Sequence, residues 1–138
     1  MIEQFVVDNS VVMSWCFKDE TNNYADTVLD RLTELVAVVP SIWLLEVVNV
    51  LLVAERQKRL SESDSIRFLT LLSQLPILVE YERPGMMKGL LALARSNNLS
   101  SYDASYLDLA MRKGVPIATL DNKLIEAAKR IDVPILVP

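Results

Sequence analysis

Histidine is absent from the 138 residues. That one absence removes Ser-His-Asp and Cys-His nucleophile systems, histidine-ligated zinc and histidine general bases together. Glycine is scarce, at Gly85, Gly89 and Gly114 only, so neither a G-x-G-x-x-G fingerprint nor a Walker-type phosphate loop can be written. The lone Cys16 permits no intramolecular disulfide and no redox pair, which fits a reduced, cytoplasmic setting. The first residues hold no basic n-region and no small-residue cleavage site, so no signal peptide is expected. The longest uncharged stretches, 35–45 and 68–79, fall short of the ~20 residues of a membrane-spanning helix, so no membrane partner is expected. Any chemistry must come from carboxylates, hydroxyls, amines or a bound metal.

What is present describes one domain, 1–138, long enough to bury a core without staples. Hydrophobic residues make up 51% and mean hydropathy is +0.27, which leaves apolar surface for self-association or a protein partner. Fourteen basic residues face eighteen acidic ones, a formal charge of −4. Taken alone, that balance argues against a nucleic-acid partner, since Lys and Arg supply the affinity for phosphates.

Short, continuous apolar runs at 5–7, 37–39, 77–79, 117–120 and 135–137 suit strands buried on both faces of a parallel sheet. Helical stretches separate them at about 23–35, 41–59, 62–75, 84–96, 102–113 and 122–131, with Pro84 as a first helical residue and Asn97-Asn98 as a stop. This alternation predicts an α/β three-layer sandwich, a parallel sheet of about five strands flanked by helices.

Four carboxylates stand out against that frame. Asp8 and Asp121 each follow a strand directly, where side chains line the crevice of an open parallel sheet. Each also suits a helix N-cap, the plainer explanation. Glu46 and Asn49 are the only polar residues between Ile42 and Ala54, three apart and so on one face of a helix. A helix apolar on nearly all sides is expected to be buried, and a buried carboxylate there needs a cation or a wet cleft. The plainer alternative is a narrow solvated stripe. Asp103 lies one turn into a helix that Ser100 or Ser101 can cap, a position the helix dipole already favours. Asp108, five residues on, points to a different face.

If Asp8, Glu46, Asp103 and Asp121 converge, their like charges conflict, and a divalent cation resolves the conflict. All-oxygen ligands select Mg²⁺ or Mn²⁺, which activate water and bind phosphates. The reaction class that follows is metal-dependent phosphodiester hydrolysis. The charge objection weakens as well, because without the four acids the remaining basic and acidic residues balance. Cations such as Arg56, Lys58, Arg59, Arg112 and Lys113 remain for the nucleic-acid backbone.

The segments Asp8-Asn9-Ser10-Val11, 40–51 around Glu46 and Asn49, Tyr102-Asp103-Ala104-Ser105-Tyr106-Leu107 and 118–124 around Asp121 resemble, in order and spacing, the PIN-domain ribonucleases. The likeness is nearest to VapC-type toxins of type II toxin-antitoxin systems and extends over essentially the whole chain. It implies that Asp8, Glu46, Asp103 and Asp121 are the catalytic, metal-binding acids, with Asp8 and Asp103 the more direct ligands. Ser10 and Thr119 match supporting hydroxyl positions, and Asn49 a supporting polar position. It further implies an Mg²⁺- or Mn²⁺-dependent endoribonuclease acting on structured RNA such as tRNA or rRNA, a homodimer and a cognate antitoxin. Rival readings are a PIN nuclease of RNA maturation, an idle binding module, and a phosphatase or phospho-acceptor domain with Asp8 as nucleophile. The last is disfavoured because Ser10 occupies the place where haloacid-dehalogenase-type phosphatases carry a second Asp.

Overall fold

The computed structural model describes residues 3–137. Its strands are β1 (Gln4–Val7), β2 (Val36–Pro40), β3 (Ile77–Glu80) and β4 (Ile117–Ala118). Its α-helices are α1 (Asn9–Cys16), α2 (Asn23–Arg31), α3 (Ile42–Arg56), α4 (Glu62–Ser73), α5 (Met87–Asn97), α6 (Ser101–Lys113) and α7 (Asn122–Arg130). Short 3-10 turns occupy Lys18–Glu20 and Pro84–Met86. No helix among the described residues is long and apolar enough to cross a membrane.

All pairings within the sheet are parallel, in the order β3-β2-β1-β4. The central strands carry the apolar runs: Phe5, Val6, Val7, Ala37, Val38 and Val39 are all fully buried. Such runs are what a parallel sheet covered by helices demands. The order places the site. From β1 the chain winds outward through β2 to β3, then returns to lay β4 on the other side of β1. The change of direction opens a crevice beyond the carboxyl ends of β1 and β4, where open α/β sheets bind their ligands.

Several expectations need correction. The sheet has four strands among the described residues, because the run at 135–137 contributes a single bridge, Ile117 to Ile135, and no ladder. β4 stops at Ala118, and Thr119 just beyond it donates its hydroxyl to Asp8. α1 is a helix beyond those the sequence predicts; its eight residues begin immediately after Asp8, with no intervening turn to announce them. Pro84 opens a 3-10 turn, and α5 proper begins three residues later. α3 buries Trp43, Val47, Leu51 and Ala54, while Leu44, Leu45, Val48, Leu52 and Val53 are exposed. The apolar composition of α3 therefore reflects an uncovered outer face as well as a core face.

The helix ends follow their sequence signals. Asn98, at φ 52°, and Gly114, at φ 64°, take the left-handed conformation that closes α5 and α6. Ser61 and Asp64 form a reciprocal capping box on α4.

Candidate active site

Asp8 follows β1 directly and is 5% exposed. Its backbone N–H donates to the carbonyl of Ala118 on β4, which fixes it at the crevice. Its side chain caps α1: Oδ1 accepts from the backbone N–H of Ser10 at 3.1 Å and from the Ser10 hydroxyl. Oδ2 accepts from the Thr119 hydroxyl at 2.7 Å. Burial dominates and pushes the Asp8 carboxyl up to about 6, against the pull of the Ser10 and Thr119 hydrogen bonds.

The same two hydroxyls reach the far side of the crevice. Thr119 Oγ1 accepts from the backbone N–H of Asp121 at 3.0 Å, and Ser10 Oγ accepts from that of Leu120 at 3.0 Å. Two small hydroxyl residues thus tie the ends of β1 and β4 together, each donating to Asp8 and accepting a backbone N–H from the loop that follows β4. Asp121 in turn caps α7, its Oδ1 accepting from the backbone N–H of Lys123 at 2.9 Å.

Glu46 comes from α3, and its Oε1 accepts the hydroxyl hydrogen of Tyr106 on α6. Burial raises the Glu46 carboxyl, the Tyr106 bond lowers it and the charge of Asp103 raises it further. Asp103 lies in the first turn of α6, where Ser100 caps by accepting its N–H at 3.1 Å. Burial raises Asp103, as does Asp121, against the pull of Ser100 and Lys123. The Tyr106 phenol is held far above its usual range by burial, by its bond to Glu46 and by the charges of Glu46, Asp8 and Asp103. It is 1% exposed.

The acids therefore stand as a connected series. Asp8 is linked to Asp121 through Thr119, Asp121 acts on Asp103, and Asp103 acts on Glu46. The capping roles expected at Asp8 and Asp121 and the first-turn place expected of Asp103 are present as well, so these residues serve their helices and the crevice together. Among the described residues no three His, Cys, Asp or Glu side chains stand close enough to form a ready metal cage. The donor set nonetheless suits a hard divalent ion, which takes one or two carboxylates directly and keeps water as its other ligands. Raised carboxyls, with the exposed Lys123 acting on Asp103, are the electrostatic condition such an ion relieves.

Asn49 is exposed, three residues beyond Glu46 on α3. Asp108 turns away and pairs with Arg112 at 2.8 Å. Two features escaped the sequence. Tyr106 is one, and its signal in the sequence is the spacing of three from Asp103, which puts both on one face of α6. A cleft of about 540 Å³ also borders the Asp8 loop, with Asn9, Ser10, Met13, Leu120 and Arg59 among its walls. The Arg59 guanidinium lies 4.1 Å from the Phe17 ring centroid and pairs with Asp19 at 3.4 Å.

The PIN domain family model matches residues 5–130. PAE2754 from Pyrobaculum aerophilum is similar in structure, with a TM-score of 0.70 at 21% identity over 92% of this chain and 87% of that one. FitAcB from Neisseria gonorrhoeae is similar with a TM-score of 0.63 at 19% identity, over 97% of both chains. At those identities the likeness shows a shared fold. No curated protein matches the sequence.

Proposed function

We propose, from the premise that the chain belongs to the PIN domain family, that it is an Mg²⁺- or Mn²⁺-dependent endoribonuclease and the toxin of a VapC-type toxin-antitoxin pair. PIN domains are generally metal-dependent nucleases. The observation that carries the reading is the set of four acids, Asp8, Glu46, Asp103 and Asp121, linked around the crevice where β1 and β4 end. Asp8 and Asp103 would hold the ion most directly, with Asp121 and Glu46 behind them. A bound ion would supply a nucleophilic water at neutral pH and stabilise charge on the scissile phosphate.

The protein's own groups have separate tasks. Ser10 and Thr119 hold the Asp8 carboxylate by three hydrogen bonds, so its orientation is set before any substrate arrives. The cleft beside the Asp8 loop has room for an RNA segment, and Arg59 at its wall offers a cation to a phosphate. Apolar side chains left uncovered, Leu45 and Val48 on α3 and Met87 and Leu91 on α5, support a second copy of the chain and an antitoxin as partners.

The test is to incubate purified protein with total RNA in Mg²⁺, in Mn²⁺ and in EDTA, and to map the cut ends. Discrete cleavage within a structured RNA such as a tRNA or rRNA, abolished by EDTA, is the expected result. Intact RNA under every condition contradicts the proposal.

A further inference from the structure

Glu46 sits on the most apolar helix of the chain, flanked by Leu45 and Val47, and its carboxylate has one hydrogen-bond partner among the described residues, the Tyr106 hydroxyl. Asp8 differs, with two hydroxyls and a backbone N–H holding it. The orientation of Glu46 toward the other acids thus depends on a single phenol.

That phenol is well placed to impose one. Tyr106 lies on α6 three residues beyond Asp103, so the two share a face. Its ring is closed in, with Leu107, Leu109 and Ala110 of the same helix also buried in the core. A ring with two torsions, immobilised by packing, delivers its O–H to a fixed point at small cost in entropy. The hydrogen bond occupies Oε1 of Glu46. It leaves Oε2 and its lone pairs unengaged among the described residues.

We propose that Tyr106 is a positioning residue of the acid site: its phenol O–H pins one oxygen of Glu46 so that the other faces the ion bound between the acids. The proposal rests on the reading of these acids as a metal site. A purely structural role is the competing explanation, because a buried Tyr hydroxyl always seeks an acceptor. The two differ in what the hydroxyl's removal changes. Loss of a structural bond lowers melting temperature alone, whereas loss of a positioning bond weakens ion binding and does so through Glu46.

The experiment is a double-mutant cycle of wild type, Tyr106→Phe, Glu46→Gln and the double variant, read by calorimetric titration of Mn²⁺ into metal-free protein and by kcat and KM for RNA. Tyr106→Phe is expected to weaken Mn²⁺ binding by about tenfold. It should lower kcat while leaving KM for RNA unchanged. In the double variant the affinity should equal that of Glu46→Gln alone, the signature of two residues acting as one. Unchanged Mn²⁺ affinity in Tyr106→Phe, or losses that multiply in the double variant, would overturn the proposal. Wild type that binds Mn²⁺ but spares RNA would remove the nuclease reading while the binding cycle still decides the role of Tyr106. Wild type that takes up no Mn²⁺ would remove both. Fluorine NMR of 3-fluorotyrosine-labelled wild type gives a second measurement that does not depend on a variant folding. Mg²⁺ should shift the Tyr106 resonance, and a resonance that stays in place counts against positioning.

Discussion

The Thr119 hydroxyl donates to Oδ2 of Asp8 at 2.7 Å, across 111 residues of sequence, and Thr119 Oγ1 itself accepts the backbone N–H of Asp121 at 3.0 Å. One side chain therefore joins the first and last acids of the site. Thr119 is 2% exposed, so water cannot readily replace its bonds.

Thr119→Val keeps the shape and removes both bonds. Leaving Asp8 without its donor and the Asp121 N–H without its acceptor should cost about 1–3 kcal/mol. The Asp8 carboxyl should also move further above its position near 6, because a bond that favours the ionised form is gone. Thr119→Ser should behave like wild type in both respects. Thermal unfolding and a carbon-detected NMR titration of Asp8 check this. Identical Asp8 titrations in wild type and Thr119→Val would contradict it.

Asp8 also makes the metal-free protein sensitive to pH. Burial raises its carboxyl from 3.8 to about 6, so the folded state holds this proton more tightly than the unfolded chain does. Stability from this group is complete below about pH 4 and is lost as pH rises through 6, a change of roughly 3 kcal/mol by pH 7. Denaturant unfolding in EDTA across that range should show the fall in wild type and a much flatter profile in Asp8→Asn. Parallel profiles in the two proteins would sink the assignment.

The fold was legible where a single local signal sufficed. Phe5-Val6-Val7 and Ala37-Val38-Val39 read as buried parallel strands because they are buried on both faces. Asp8 and Asp121 read as candidate site residues and as helix N-caps because their strands end there, and both do cap the helices that follow. What escaped was set by distant partners. Whether Leu45 faces a core or solvent depends on what packs on α3, and at 67% exposure it faces outward. Ile135-Leu136-Val137 has the composition of a strand, yet it makes one bridge. The Tyr106 to Glu46 bond spans 60 residues and joins two separate motifs; the spacing places Tyr106 on the Asp103 face, and the packing of α6 near α3 supplies its partner.

A divalent ion should reverse the cost of charge at Asp8. Mn²⁺ should raise the melting temperature of wild type, and by more at pH 7.5 than at pH 5, where protons compete for a carboxyl that titrates near 6. Asp8→Asn should lose most of the shift. Equal shifts at the two pH values, or a full shift in Asp8→Asn, would place the ion elsewhere.

Asp103→Asn should separate stability from activity. Burial and the charge of Asp121 both oppose ionised Asp103, so the neutral amide should leave the metal-free protein at least as stable at pH 7. A core truncation such as Leu107→Ala, at a residue with no exposure, should instead cost about 2–5 kcal/mol. Comparing the two melting curves tests whether Asp103 serves the site or the fold. A large loss of stability in Asp103→Asn would favour the fold.

The most direct test of metal-dependent RNA cleavage at these acids is the rate of Mn²⁺-dependent RNA cleavage by wild type and by Asp103→Asn, at matched concentration and with both proteins shown to be folded. Cleavage by wild type should require Mn²⁺ or Mg²⁺, and Asp103→Asn should lose at least about a hundredfold, the scale of removing a group that organises charge at the reacting centre. Equal rates in the two proteins, or cleavage that persists in EDTA, would contradict it.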